Sequence, residues 1–118
     1  MNMWLVIGAG TLIVLFMLWN RLGRASAAKV KEHLDRAALV VDVRTPQEFR
    51  GGHFPGAMNL PLDSLQNGLR KLGQKDRPIV VYCASGMRSR MARRILHSNG
   101  YLNAINAGGL HTMMRHAQ

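Results

Sequence analysis

From Met3 to Trp19 the chain reads MWLVIGAGTLIVLFMLW, and no Asp, Glu, Lys, Arg or His occurs before Arg21. As a helix this run reaches roughly 25 Å at about 1.5 Å per residue, slightly under the ~30 Å hydrocarbon core of a bilayer. A helix packed into a globular core keeps a polar face, and this run has none. Trp4 and Trp19 bracket it, as rings that favour the headgroup level do, and Arg21 and Arg24 follow within snorkelling reach. Ala25-Ser26-Ala27 resembles a signal-peptidase site, but signal peptides carry positive charge before the apolar run, and here it follows. Gly8 and Gly10 supply neither a GxxxG helix-pairing face nor a dinucleotide loop, since Ile13 stands where a third glycine is needed. The pattern predicts a retained anchor over residues 1–20, a basic linker over 21–25 and a folded domain over 26–118. Arg21, Arg24, Lys29 and Lys31 predict a single-pass protein of the cell membrane, N-terminus out and domain cytoplasmic.

This division reinterprets the composition. The 118 residues hold 16 Lys and Arg against 6 Asp and Glu, a formal charge of +10 that lies entirely behind the uncharged run. That length fits one small domain and excludes a two-domain enzyme. A single cysteine, Cys83, excludes an internal disulfide and any multi-cysteine zinc or iron–sulfur site. Arg90, Arg93 and Arg94 make one basic segment, but no interleaved aromatics offer base stacking, so nucleic acid is not expected as a partner.

Behind the anchor, strand and helix signals alternate. Ala25–Arg36 predicts a short amphipathic helix on Val30 and Leu34. The apolar segment 38–43 predicts a buried strand, and Pro46 opens a helical turn that Gly51 and Gly52 end. A very short strand is expected over Ala57–Asn59. Leu62, Leu65, Leu69 and Leu72 share a helical face closed by Gly73. Pro78–Tyr82 predicts a second buried strand. Ser89–Asn99 predicts a helix with Met91–Ile95 and Ala92–Leu96 turned inward, and Tyr101–Ala107 a last strand broken by Gly108-Gly109. The tail to Gln118 shows little pattern. Such alternation predicts an α/β domain, a mostly parallel sheet with helices on both faces.

The chemistry concentrates where the second strand ends, in Tyr82-Cys83-Ala84-Ser85-Gly86-Met87-Arg88-Ser89-Arg90. A parallel strand delivers its C-terminal residue to the sheet edge where α/β sites lie. The following helix aims its unpaired N–H groups back at the loop, and Gly86 permits a tight path. Helix dipole, Arg88 and Arg90 all favour a thiolate at Cys83. A small buried cysteine needs no such setting, so the cluster points to a nucleophile.

Three ordered motifs here resemble the rhodanese superfamily. Asp42-Val43-Arg44 with Glu48-Phe49 looks like its first signature, and Gly52-His53-Phe54-Pro55-Gly56-Ala57 like its Gly-His segment. Cys83-Ala84-Ser85-Gly86-Met87-Arg88-Ser89 is similar to its active-site loop. The resemblance runs from about Ser26 to Leu110. It implies a rhodanese-like fold and a sulfurtransferase that needs no cofactor. Cys83 would take sulfane sulfur from thiosulfate or a related donor, hold it as a persulfide among the loop N–H groups of Ala84 to Ser89, and pass it to a thiol, cyanide or protein acceptor. Without a second cysteine, the acceptor must be external.

Phosphatases that share this fold place their arginine one residue further from the cysteine. Here four residues separate Cys83 from Arg88, and Ser89 occupies the phosphatase position. Mercaptopyruvate enzymes carry a Cys-Gly-(Ser/Thr)-Gly-Val-Thr loop that Ala84, Met87 and Arg88 do not match. Arg88 is therefore the candidate for the sulfonate end of thiosulfate. Asp42 and Arg44 are expected to pair with each other or brace the loop, and His53 to serve a structural hydrogen bond. His33, His97, His111 and His116 lack ligand spacing, so no metal is assigned. Leu110 follows Gly108-Gly109 where many family members have Trp, which puts the packing of the tail in question. A non-catalytic module that docks a partner at the membrane is the alternative, but such a module needs neither Cys83 nor its loop.

Overall fold

The computed structural model describes residues 2–21 and 23–117, with the side chains of Asn20 and Arg21 outside that set. The interfacial role expected of the Arg21 side chain therefore lies outside the described residues. The uncharged run forms helix α1 (Met3–Arg21), whose side chains from Met3 to Trp19 are all exposed. Among the described residues, no helix is long and apolar enough to cross a membrane. The 19 residues of α1 reach about 28 Å, just short of a ~30 Å core. The expected transmembrane helix is thus found as an exposed apolar helix, without a demonstrated span.

Four parallel strands form one sheet in the order β2-β1-β3-β4. They are β1 (Leu39–Asp42), β2 (Met58–Asn59), β3 (Ile79–Cys83) and β4 (Ala104–Gly109). Every residue of β3 is buried, which explains its unbroken apolar character. Alternation along β3 feeds two cores. Ile79, Val81 and Cys83 join Val41, Val43, Leu65, Leu72 and Leu96 on one face, and Val80 and Tyr82 join Val30, Phe54 and Met113 on the other.

Helix α2 (Ala27–Asp35), N-capped by the Ser26 side chain, and the short α5 (Leu110–Met114) cover the second face. Helix α4 (Met87–Ser98) covers the first, burying Ser89, Ala92 and Leu96. The five-residue α3 (Pro46–Arg50) has Pro at its start and a reciprocal capping box between Thr45 and Glu48. Helices therefore flank the parallel sheet on both faces, in agreement with the expected fold class.

Several local expectations are corrected. The leucine repeat at 62–72 is not an α-helix but two 3-10 segments, Leu62–Ser64 and Gln66–Leu72. A Cβ on Gly68 would lie 2.6 Å from Leu60 Cδ1, so the chain passes too close there for any larger residue without rearrangement. Met91 is 55% exposed rather than inward, because Ser89, Ala92 and Leu96 form the inner stripe of α4 and Met91 lies off that stripe, while α4 itself starts at Met87 instead of Ser89. Strand β4 starts at Ala104 and runs through Gly108 and Gly109 instead of stopping before them. The tail holds α5, with Met113 fully buried and Leu110 packed against the same core.

Candidate active site

Strand β3 ends at Cys83, fully buried at the C-terminal edge of the sheet, and the chain turns directly into α4. The turn depends on two glycines. Gly86 adopts φ +104°, a conformation that glycine reaches freely, and immediately precedes α4. Gly109 has ordinary φ, but a Cβ there would sit 2.5 Å from the Ala84 carbonyl oxygen. The late glycine pair that looked like a strand breaker is where β4 lets the loop backbone lie directly against it.

The thiol is ringed by donors. Gly86 N–H donates to Cys83 Sγ at 2.9 Å, and Ser89 Oγ lies 3.4 Å from it. Burial pushes the Cys83 thiol up, but the Ser89 hydroxyl and the N–H groups of Ser89, Gly86 and Ser85 outweigh it and bring the thiol below its ordinary value. Ala84, Ser85 and Met87 are exposed, so the loop rather than the sulfur faces solvent.

Arg88 is committed elsewhere. Its guanidinium makes a bidentate pair with Glu48 of α3, at 2.7 and 2.9 Å. This pair holds the Glu48 carboxyl at about 2 and raises Arg88 further above its ordinary value. The expected sulfonate-binding arginine thus ties α3 to α4 beside the loop. Arg90 points to α1 instead: its guanidinium lies 4.6 Å from the Trp19 ring centroid and donates to the Trp19 carbonyl at 3.3 Å.

Asp42 and Arg44 do pair, with 2.7 Å between Arg44 Nη2 and Asp42 Oδ2 and both side chains buried. Tyr82 Oη donates to the same Asp42 oxygen at 2.7 Å and accepts from Phe54 N–H, while Arg44 also donates to the Gly52 carbonyl. Burial, with Asp42 beside it, pushes the Tyr82 phenol up to about 12. This network fastens the Gly52–Phe54 segment to the sheet beneath the loop. His53 donates its Nδ1–H to the Phe49 carbonyl at 2.8 Å and stacks on the Phe49 ring, the structural place expected for it. Among the described residues, no group of three His, Cys, Asp or Glu side chains is placed to hold a metal ion.

Sequence reasoning missed Asn106. It is buried on β4, accepts from Ser89 Oγ at 2.7 Å and from Gly108 N–H at 2.8 Å, and so braces the loop's serine. A polar residue inside the otherwise apolar Ala104–Ala107 was the available signal. Glu48 was noted only as part of a motif; its partner lies 40 residues away and no local pattern reveals the pair.

Comparison with known proteins agrees with this geometry. The family model for the rhodanese-like domain matches residues 26–113, and the chain belongs to that family. A sulfurtransferase of Allochromatium vinosum is 39% identical over 79 residues, 66% of this chain and 73% of the relative. The thiosulfate sulfurtransferase PspE of Escherichia coli is 37% identical over 71 residues, 59% of this chain and 68% of the relative. For YqhL of Bacillus subtilis the match spans only 58% of the relative, and for the tRNA uridine(34) hydroxylase of Erwinia tasmaniensis 25%. Among solved structures, the human single-domain sulfurtransferase TSTD1 superposes with a TM-score of 0.70 at 25% identity, covering 79% of this chain and 96% of that one.

Proposed function

We propose that this chain is a rhodanese-type sulfurtransferase in which Cys83 carries the sulfur. The observation that supports this best is the pair of donors on Cys83 Sγ, Gly86 N–H at 2.9 Å and the Ser89 hydroxyl at 3.4 Å, which favour the thiolate against its burial. The thiolate attacks the outer sulfur of a donor such as thiosulfate. The new bond is Sγ–S, the broken bond is S–S of the donor, and sulfite leaves with the bonding electron pair. The persulfide that remains carries one negative charge, which the loop N–H groups stabilise. A thiol, cyanide or acceptor protein then attacks the terminal sulfur and regenerates the thiolate, in ping-pong order.

Arg88 enters this reading differently from the expectation. Paired with Glu48 it brings little net charge, so stabilisation of an anionic donor falls to the loop amides and the N-terminus of α4. The names of the bacterial and human relatives favour sulfur transfer, and that of PspE favours thiosulfate as donor. A thiosulfate:cyanide assay on the full chain in detergent tests the reading: wild type forms thiocyanate, and Cys83→Ser does not. Equal turnover by the two removes Cys83 from the mechanism.

The same proposal places the protein at the cell membrane, attached through α1, with the domain cytoplasmic. Its support is the run of large apolar side chains from Met3 to Trp19, each more than half exposed, and the positive charge that follows. Reporter fusions after Gln118 test it, since activity confined to the exported side reverses the orientation.

A further inference from the structure

The Ser89 hydroxyl has one proton and four acceptors around it. Its Oγ lies 2.7 Å from Asn106 Oδ1, 3.1 Å from the Gly86 carbonyl, and 3.4 Å from both the Gly108 carbonyl and Cys83 Sγ. Ser89 and Asn106 are both buried, at 0% and 3% exposure, so solvent does not exchange freely with these bonds. The Asn106 amide cannot turn over without loss, because Gly108 N–H donates to Oδ1 at 2.8 Å and a flipped NH2 would face that donor. Oδ1 is thus a fixed acceptor with both lone pairs engaged, one by Gly108 and one by Ser89. The shortest of the four contacts identifies where the proton rests while the sulfur is neutral.

We propose that Asn106 is a positioning residue that governs the protonation of Cys83 through Ser89: the Ser89 O–H donates its hydrogen bond to Asn106 Oδ1 while Cys83 is a thiol, and turns to donate to Sγ, keeping its proton, once the thiol has lost its own proton to solvent. The inference rests on the reading of Cys83 as the nucleophile. The thiolate gains a hydroxyl donor, but only at the cost of a buried Ser–Asn hydrogen bond, so Asn106 limits how far Ser89 acidifies the thiol. Without that limit the thiolate would be more abundant but a weaker nucleophile.

None of the charged and titratable groups around the site is replaced in the variants compared below. These groups are Arg88 of α4 with Glu48 of α3, Arg93 of α4, which lines a cavity together with Asn106, Asp42 and Arg44 at the end of β1, and Tyr82 of β3. Arg24 of the linker lies over Gly108, and the exposed His111 belongs to α5; β4 itself contributes no ionisable side chain.

The test is a pH titration of thiolate ultraviolet absorbance in the full chain, with the Cys83→Ser spectrum subtracted. Wild type, Asn106→Leu, Ser89→Ala and the double variant are compared. Asn106→Leu is expected to lower the Cys83 pKa by about half a unit to one unit, the worth of one neutral hydrogen bond. Ser89→Ala raises it, and the double variant matches Ser89→Ala because Asn106 acts only through the hydroxyl. An unchanged or raised pKa in Asn106→Leu overturns the proposal, as does a shift of equal size in the Ser89→Ala background. Should Asn106→Leu fail to fold, the wild type carries the test: the Gly108 amide proton resonance follows the Cys83 titration, and Ser89→Ala abolishes most of that movement. A Gly108 resonance indifferent to Ser89 overturns it equally. None of these readouts involves sulfur transfer, so a chain that shows them yet forms no thiocyanate loses the proposed function and keeps the proton network.

Discussion

Replacing Gly109 by alanine tests the idea that the sulfur-binding loop is shaped by strand β4. The added Cβ would lie 2.5 Å from the Ala84 carbonyl oxygen and 3.2 Å from its carbon. The closest usual carbon–oxygen contacts are about 3.3 Å, so loop and strand must part by about 0.8 Å. Both sides are backbone, and no rotamer change relieves the contact. The loop that moves carries Gly86 N–H, now 2.9 Å from Sγ, and a displacement of that size lengthens and weakens this short contact. Overpacking of this kind costs about 1–3 kcal/mol of stability, and misplacement near 1 Å costs about a hundredfold in rate. Urea unfolding and thiocyanate formation measure the two effects on the same preparation. Gly109→Ala is expected to lose stability within that range, to raise the Cys83 pKa and to lose most activity. Wild-type stability together with wild-type turnover would refute the claim that this contact sets the loop.

Further outcomes follow from the other contacts. Asp42→Asn removes the charge that Arg44 and Tyr82 share in the interior, and a loss of about 3–5 kcal/mol is expected by denaturant unfolding. Tyr82 has its folded pKa raised to about 12, above an ordinary value of 10.0, so its contribution is complete below pH 10 and lost as pH rises toward 12. Tyr82→Phe removes that part of the alkaline stability loss, which a pH series of thermal midpoints detects. Glu48 is the opposite case: its carboxyl is lowered from 4.5 to about 2, so its contribution is present above pH 4.5 and lost as pH falls toward 2. The pair is one-third exposed, so solvent screening limits the cost of Glu48→Gln at neutral pH to about 1 kcal/mol, and this difference vanishes near pH 2. Ala37 carries a positive φ of 58° in the turn after α2, and Ala37→Gly is expected to raise the melting temperature by relieving roughly 1 kcal/mol of strain.

Features set by neighbours in the chain are legible in the sequence. The apolar segment that becomes β3 and the proline that opens α3 each act within a few residues, and the elements they signal are present, as is the tight turn at Gly86, although α4 starts two residues earlier than its pattern suggested. Tertiary contact decided the rest. Leu62 to Leu72 carries helical spacing, yet the close approach of Leu60 to Gly68 accompanies a 3-10 path. Gly108 and Gly109 read as a breaker because glycine is weak in strands, but pairing of Gly109 with Cys83 keeps β4 intact. Arg88 looked free for an anion until Glu48, remote in sequence, proved to hold it. The nucleophile and the donors that lower its pKa were therefore readable from one loop, whereas Asn106 of β4, which holds Ser89, and Glu48 of α3, which holds Arg88, were not.

The central claim is that Cys83 carries sulfur. Intact-protein mass spectrometry of the full chain after thiosulfate treatment and removal of free donor tests it most directly. The expected spectrum shows one added sulfur atom, located at Cys83 by fragmentation, removed by cyanide and absent from Cys83→Ser. A chain that remains unmodified by thiosulfate and by persulfide donors alike, with Cys83 reduced, would contradict the claim.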